Sequence, residues 1–174
     1  MMQADLQTLF SNLAKASVNQ GVHPEPGPGL VQSTHGVEIP SAYKDFLRLL
    51  GPGSWGEFLH FHALEHMSTH EELLSSFMDA DLQELLELTA DVLVFASSDN
   101  GDMCGWHLHD LIRMPPDECP VIRIAPRSFD GVVIAATTAE FFQLLGHGAN
   151  LFGVGALPWV FRPRSPSRGL HRTA

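Results

Sequence analysis

Residues 37–62, VEIPSAYKDFLRLLGPGSWGEFLHFH, constrain the fold more than any other stretch of the chain. They read as a short helix, a Gly-Pro-Gly turn and then a strand. Ile39-Pro40 opens the helix, because proline's fixed φ suits the first helical turn and its missing N–H costs nothing there. Tyr43, Phe46, Leu47 and Leu50 recur at helical spacing and form one inward face. Gly51 ends the helix, and Gly53 and Gly56 belong to the turn that follows. An apolar strand is expected over about 56–63. In it His60 and His62 alternate with Leu59, Phe61 and Ala63, the pattern of a half-exposed strand.

The other elements follow the same logic. Leu6, Leu9, Phe10 and Leu13 put a helix over 3–18. The run His23 to Gly29 carries three prolines and sustains neither helix nor internal strand, so it is a loop within the domain. Thr69-His70-Glu71-Glu72 is a capping box that opens a helical region reaching Leu88. Asp91 to Ala96 is a dense apolar run, expected as a central strand. Asn100-Gly101 then marks a hairpin, and Met103 to Leu108 returns. Val121 to Ala125 is a further strand, Val132 to Ala135 a possible one, and Thr137 to Glu140 a second capping box ahead of Phe141, Phe142, Leu144 and Leu145. A hairpin needs antiparallel pairing. The fold class is therefore α+β, an antiparallel sheet of about four to six strands flanked by helices. Residues 1–161 are read as one domain and 162–174, rich in Arg, Pro and Ser, as a disordered tail.

Charge is uneven. The chain has 10 basic and 20 acidic side chains, a net charge of −10. Four arginines, Arg162, Arg164, Arg168 and Arg172, lie in the tail without an acid among them, so residues 1–161 hold 6 basic and 20 acidic groups. That body lacks the positive footprint of a nucleic-acid binder. It suits solubility and docking to a basic partner. No apolar run reaches the roughly 18 residues that span a membrane. The N-terminus has neither the basic nor the apolar region of a signal peptide, so a cytoplasmic location is expected. Cys104 and Cys119 fit free thiols, with a disulfide between them left open by the sequence.

With these blocks in place, the chain resembles the SUKH superfamily. Its helix I-P-x-x-Y-x-x-F-L is matched by Ile39-Pro40, Tyr43, Phe46 and Leu47, and its G-x-x-G turn by Gly53 to Gly56. Leu93 to Ala96 with Asp99 to Asp102 is similar to its central strand and turn. Val121 to Ile124 and Phe141 to Leu145 are similar to its late strand and closing helix. The blocks cover roughly residues 37–146 in order. The segment Leu64 to Leu88 is more helical and richer in histidine than the family pattern, and nothing after Gly148 has a counterpart. The family contains bacterial immunity proteins, which neutralise toxins by binding them, and fungal cell-wall regulators. The resemblance implies protein binding without catalysis, with an immunity protein as the first expectation for this chain and a regulatory scaffold as an alternative. The expected partner is another protein, such as a basic toxin domain. Glu57, Asp99, Asp102 and the neighbouring Trp106 are the candidate docking residues.

Two rival chemistries are visible. His60 and His62 form one His-x-His pair and His107 and His109 another. On adjacent strands the four imidazoles would suit a zinc, iron or copper ion and a small metal-dependent enzyme. The plainer reading is two polar strand faces, and no C-x-x-C or H-E-x-x-H spacing supports a metal. Asp99 and Asp102 lack the spacing of a calcium loop and suit turn chemistry. Trp55 is read as core. There is no G-x-S-x-G and no phosphate-binding loop, so neither a catalytic residue, a metal nor a cofactor is expected.

Overall fold

A computed structural model describes residues 2–19, 35–74, 82–125 and 130–164. The Pro/Gly loop 23–29 and the tail beyond residue 164 lie outside the described residues. The helices are α1 (Met2–Asn19), α2 (Ser41–Leu50), α3 (His70–Leu74), α4 (Leu82–Thr89), α5 (Leu108–Arg113) and α6 (Thr138–Gly146). The strands are β1 (Gly53–Trp55), β2 (Leu59–Phe61), β3 (Ser68–Thr69), β4 (Val92–Ser98), β5 (Met103–His107), β6 (Val121–Ala125), β7 (Asp130–Ala135) and β8 (Phe161–Pro163). All pair antiparallel in one sheet of order β7-β6-β5-β4-β2-β1-β8, with β3 also on β4. The α+β class holds, with 8 strands in the sheet.

Three differences account for the larger sheet. The strand expected over about 56–63 is shorter, β2, and the turn expected before it contributes a strand of its own, β1, the two forming a hairpin with Gly56 and Glu57 both at positive φ between them. The segment before α3 adds β3. The tail begins later than its composition suggests, because β8 pairs with β1 through Gly53↔Pro163 and Trp55↔Phe161. Phe161 is fully buried, and its N–H donates to the Ser17 Oγ at 2.8 Å, tying β8 to α1.

Helices α1, α2 and α6 pack together over one face of the sheet. Their interface is aromatic. Phe46 stacks on Phe142 at 4.8 Å, Phe10 meets Phe142 edge-on at 5.0 Å, and Phe95 stacks on Trp106 at 4.3 Å. Each such pair adds about 0.5–1.5 kcal/mol beyond the area it buries. Tyr43 stands at the centre, with its hydroxyl 2.6 Å from the His62 carbonyl and 3.0 Å from that of Phe95. The Phe95 carbonyl accepts from the His62 N–H as well, at 2.8 Å, so the Tyr43 hydroxyl sits where β2 and β4 meet. Strand β4 is buried on both faces as far as Ala96, as its continuous apolar run requires.

Capping is partly local. Thr69 and Glu72 exchange both hydrogen bonds of the capping box, at 3.2 and 2.7 Å. Thr137 caps α6 by accepting from the Glu140 N–H. The start of α2 is capped from far away: Pro40 holds the N-cap position, and the Ser41 N–H donates to the Asp117 carboxylate at 2.6 Å. At its other end Gly51 adopts φ 73°, a conformation glycine takes without strain. The Asn100-Gly101 hairpin is longer than a two-residue turn. Gly101 has positive φ and Asn100 does not, and Ser98 and Asp102 close a three-residue loop through Ser98 N–H to the Asp102 carbonyl at 2.8 Å.

Candidate functional site

The outer face of the sheet carries a groove of about 510 Å³ across β8, β1, β2 and β4. Alternation along β2 creates it: Leu59 and Phe61 enter the core, so His60 and His62 point the other way. Ser97 of β4, Arg162 of β8 and Arg164 complete the polar lining. This strip is cationic on a molecule whose net charge is −10.

Of the four residues expected to dock a partner, Glu57 and Asp99 border this groove through pairs with its lining residues Arg162 and His60, and Asp102 lies in the same turn as Asp99. The Asp99 N–H donates to the Phe58 carbonyl at 3.1 Å, joining the β1–β2 turn to the β4–β5 turn. Glu57 and Asp99 are exposed, and Asp102 is half-buried in the same loop. Glu57 has φ 60°, a strained conformation for a residue other than glycine, and its carboxylate pairs with the Arg162 guanidinium. Asp99 pairs with the His60 Nε2 at 2.7 Å. The acids expected to meet a partner are thus already held by groups lining the groove. Such exposed pairs contribute about 0–1 kcal/mol and exchange readily.

Trp106 is a correction. It is fully buried against Tyr43 and Phe95, and its Nε1–H donates to the Thr138 Oγ1 at 2.8 Å. It is a core residue that ties β5 to α6 and offers a partner no surface. Trp55 is fully buried too, as expected.

The four-imidazole site does not form either. Strand β4 lies between β2 and β5, so the two His-x-His pairs are not on adjacent strands. The pairs also differ locally. The His62 Nε2 lies 3.2 Å from the Ser97 Oγ. Burial pushes the His62 pKa below its ordinary value, and the nearby Arg164 charge adds to this. His107 ends β5, whereas His109 sits in α5, an element the sequence reading missed. Their Nδ1 atoms converge on Asp91, at 2.6 Å from Oδ1 and 2.6 Å from Oδ2 respectively. Asp91 is in place because Val92 pairs with His107 and the Leu108 N–H donates to the Asp91 carbonyl at 3.0 Å. Burial raises the Asp91 pKa, but the hydrogen bonds from His109 and His107 outweigh it and hold the carboxyl below its usual range. Asp91, His107 and His109 place one donor atom each within 4.8 Å of the others, the geometry of a potential cation site. The signal for it was the mirror symmetry of the hairpin, which sets Asp91 across from Leu108 once the bulge shifts the register by one.

The two thiols are free and buried. Burial raises both pKa values, that of Cys119 to about 11, so neither is a ready nucleophile. Among the described residues, no helix is long and apolar enough to cross a membrane.

The helix α2, the β1–β2 hairpin, the β4–β5 hairpin and α6 occur here in the order of the resembling blocks. The model of the SMI1 / KNR4 family (SUKH-1) matches residues 30–144, more than half of the chain. The chain belongs to the SUKH-1 family. No curated protein and no solved structure matches it. The family match spans every sheet strand except β8, and the groove is therefore a SUKH-1 sheet closed on one side by a strand beyond the matched region. SUKH domains are protein-interaction modules, with toxin-immunity or regulatory roles, which agrees with a protein partner.

Proposed function

We propose that this SUKH-1 protein is an immunity protein, which neutralises a cognate toxin by forming a stoichiometric complex and has no catalytic activity of its own. Family membership over residues 30–144 is the observation that carries this reading. The docking face is the groove end where the Glu57 and Asp99 turns meet. Supporting it are the strained φ of Glu57, the exposure of two carboxylates and the concavity beside them. A basic toxin domain would exchange its own cations for Arg162 and His60 on these carboxylates. Such rim charges act mainly on the association rate and its salt dependence.

The test is co-purification from the source lysate at low and high salt, followed by the triple charge reversal Glu57→Lys, Asp99→Lys and Asp102→Lys. A single basic protein held at low salt and released at high salt is expected. The variant should bind it at least roughly tenfold more weakly and with a flatter salt dependence. Unchanged affinity would remove these acids from the interface. The absence of any stoichiometric partner at either salt would overturn the immunity reading.

A further inference from the structure

The geometry points to a divalent transition-metal site at Asp91, His107 and His109, separate from the docking groove and independent of the immunity reading. Convergence of three donors carries it. The Nδ1 atoms of His107 and His109 each lie 2.6 Å from one oxygen of the Asp91 carboxylate, and the three donor atoms all lie within 4.8 Å of one another. Two imidazoles and a carboxylate gathered at one point form a donor set that transition metals take. The Asp110 Oδ1 lies 3.2 Å from the His109 Nε2, on the ring's other side, where an outer carboxylate can orient a ligating imidazole.

The remaining geometry agrees. His107 presents its Nδ1 to the other oxygen of the same carboxylate, and the two imidazole rings lie 4.8 Å apart. Two nitrogens and a carboxylate suit zinc and its first-row neighbours rather than magnesium or calcium, which take oxygen. Tetrahedral donors at about 2.1 Å from zinc sit about 3.4 Å from one another. The hydrogen-bonded contacts would open slightly, and the widest pair would close by rotation of the His109 ring, whose side chain is 50% exposed. The scaffold is stiff where it needs to be: Asp91 is bonded through its backbone to Leu108, between the two histidines. Three protein donors leave a coordination position for water or a further ligand. Met103 to His107 and Val92 to Ser98 are paired strands, and Asp91 directly precedes the Val92↔His107 pair, so the site forms where the hairpin closes.

The experiment uses the full chain, stripped with a chelator and dialysed. Zn²⁺ is titrated against a chromophoric chelator, and Co²⁺ is followed by its visible absorption. One equivalent of each is expected, with a tetrahedral or five-coordinate Co²⁺ spectrum. Asp91→Asn and His109→Ala should each weaken binding roughly tenfold or more, and Asp110→Asn by roughly tenfold. The double variant His60→Ala, His62→Ala should bind as the parent does. His109 is exposed and Asp110 half-buried, and circular dichroism is the check that their variants fold. No Zn²⁺ binding by the parent above that of His109→Ala would overturn the site. Loss of binding in the His60, His62 variant would move the site to the groove and overturn it equally.

Discussion

The two His-x-His pairs are alike in sequence and unlike in the folded protein. His60 and His62 stay on one straight strand, project to one side and find separate partners, Asp99 and Ser97. His107 and His109 straddle the change from β5 to α5, and the helical turn at Leu108 brings both rings onto a single carboxylate. Spacing of two thus means a shared face in a strand and a pincer at a strand end. The lesson is that ligand spacing has no meaning until the backbone conformation between the ligands is known.

The comparison is easiest to break at the glycines beneath each pair. A Cβ on Gly105 would stand 2.3 Å from the Leu93 carbonyl oxygen, inside the tightest part of the β4–β5 ladder. Gly105→Ala should destabilise the protein by about 3 kcal/mol, lowering Tm by roughly 6–12 °C in a thermal melt, and should disrupt the Asp91 cluster. Gly53 holds the groove in the same way, since a Cβ there would stand 2.2 Å from the Arg162 carbonyl oxygen. Strand β8 is an edge strand of 3 residues and can yield, so Gly53→Ala should cost about 1–2 kcal/mol by denaturant titration. It should open the groove while leaving the Asp91 cluster intact. An equal loss in both variants would mean that β8 is as integral to the sheet as β5.

Acid sharpens the comparison. His62 lines the groove and His70 is buried beside Thr89, and burial lowers both pKa values. The unfolded chain therefore takes up protons near pH 6.5 that the folded chain refuses. Their contribution to stability is complete above about pH 6.5 and is lost as pH falls through the lower folded-state values. Tm should decline between pH 7 and 5, and the double variant His62→Gln, His70→Gln should flatten that decline. An unchanged slope would assign the acid sensitivity elsewhere. The smallest effect is expected at His60→Ala. Its pair with Asp99 is exposed on both sides, so stability measured by urea titration should change by no more than about 0.5 kcal/mol.

Much of the fold was legible because its signals are local. The apolar face of α2, the capping boxes at Thr69 and Thr137 and the run Val92 to Ala96 each depend on a few neighbouring residues. The candidate site was legible only in part. Glu57, Asp99 and Asp102 share one end of the sheet because two turns lie side by side. Trp106 belonged with them by sequence proximity alone, and its indole is the side chain that bridges β5 to α6. Asp91 went unnoticed because its role depends on the register across a hairpin, and a bulge at Phe95 moves that register by one.

By itself the sequence determined the α+β class, the antiparallel order of the central hairpin, the aromatic composition of the core and membership of a recognisable family. These rest on periodicity and turn chemistry, which act over a few residues. Tertiary structure decided that Phe161 to Pro163 closes the sheet, that Asp117 caps α2 from a distant loop, and that one pair of histidines lines a groove while the other clasps a carboxylate. Those outcomes depend on which backbone groups and side chains meet across the sheet, and residues far apart in sequence carry no local mark of such meetings.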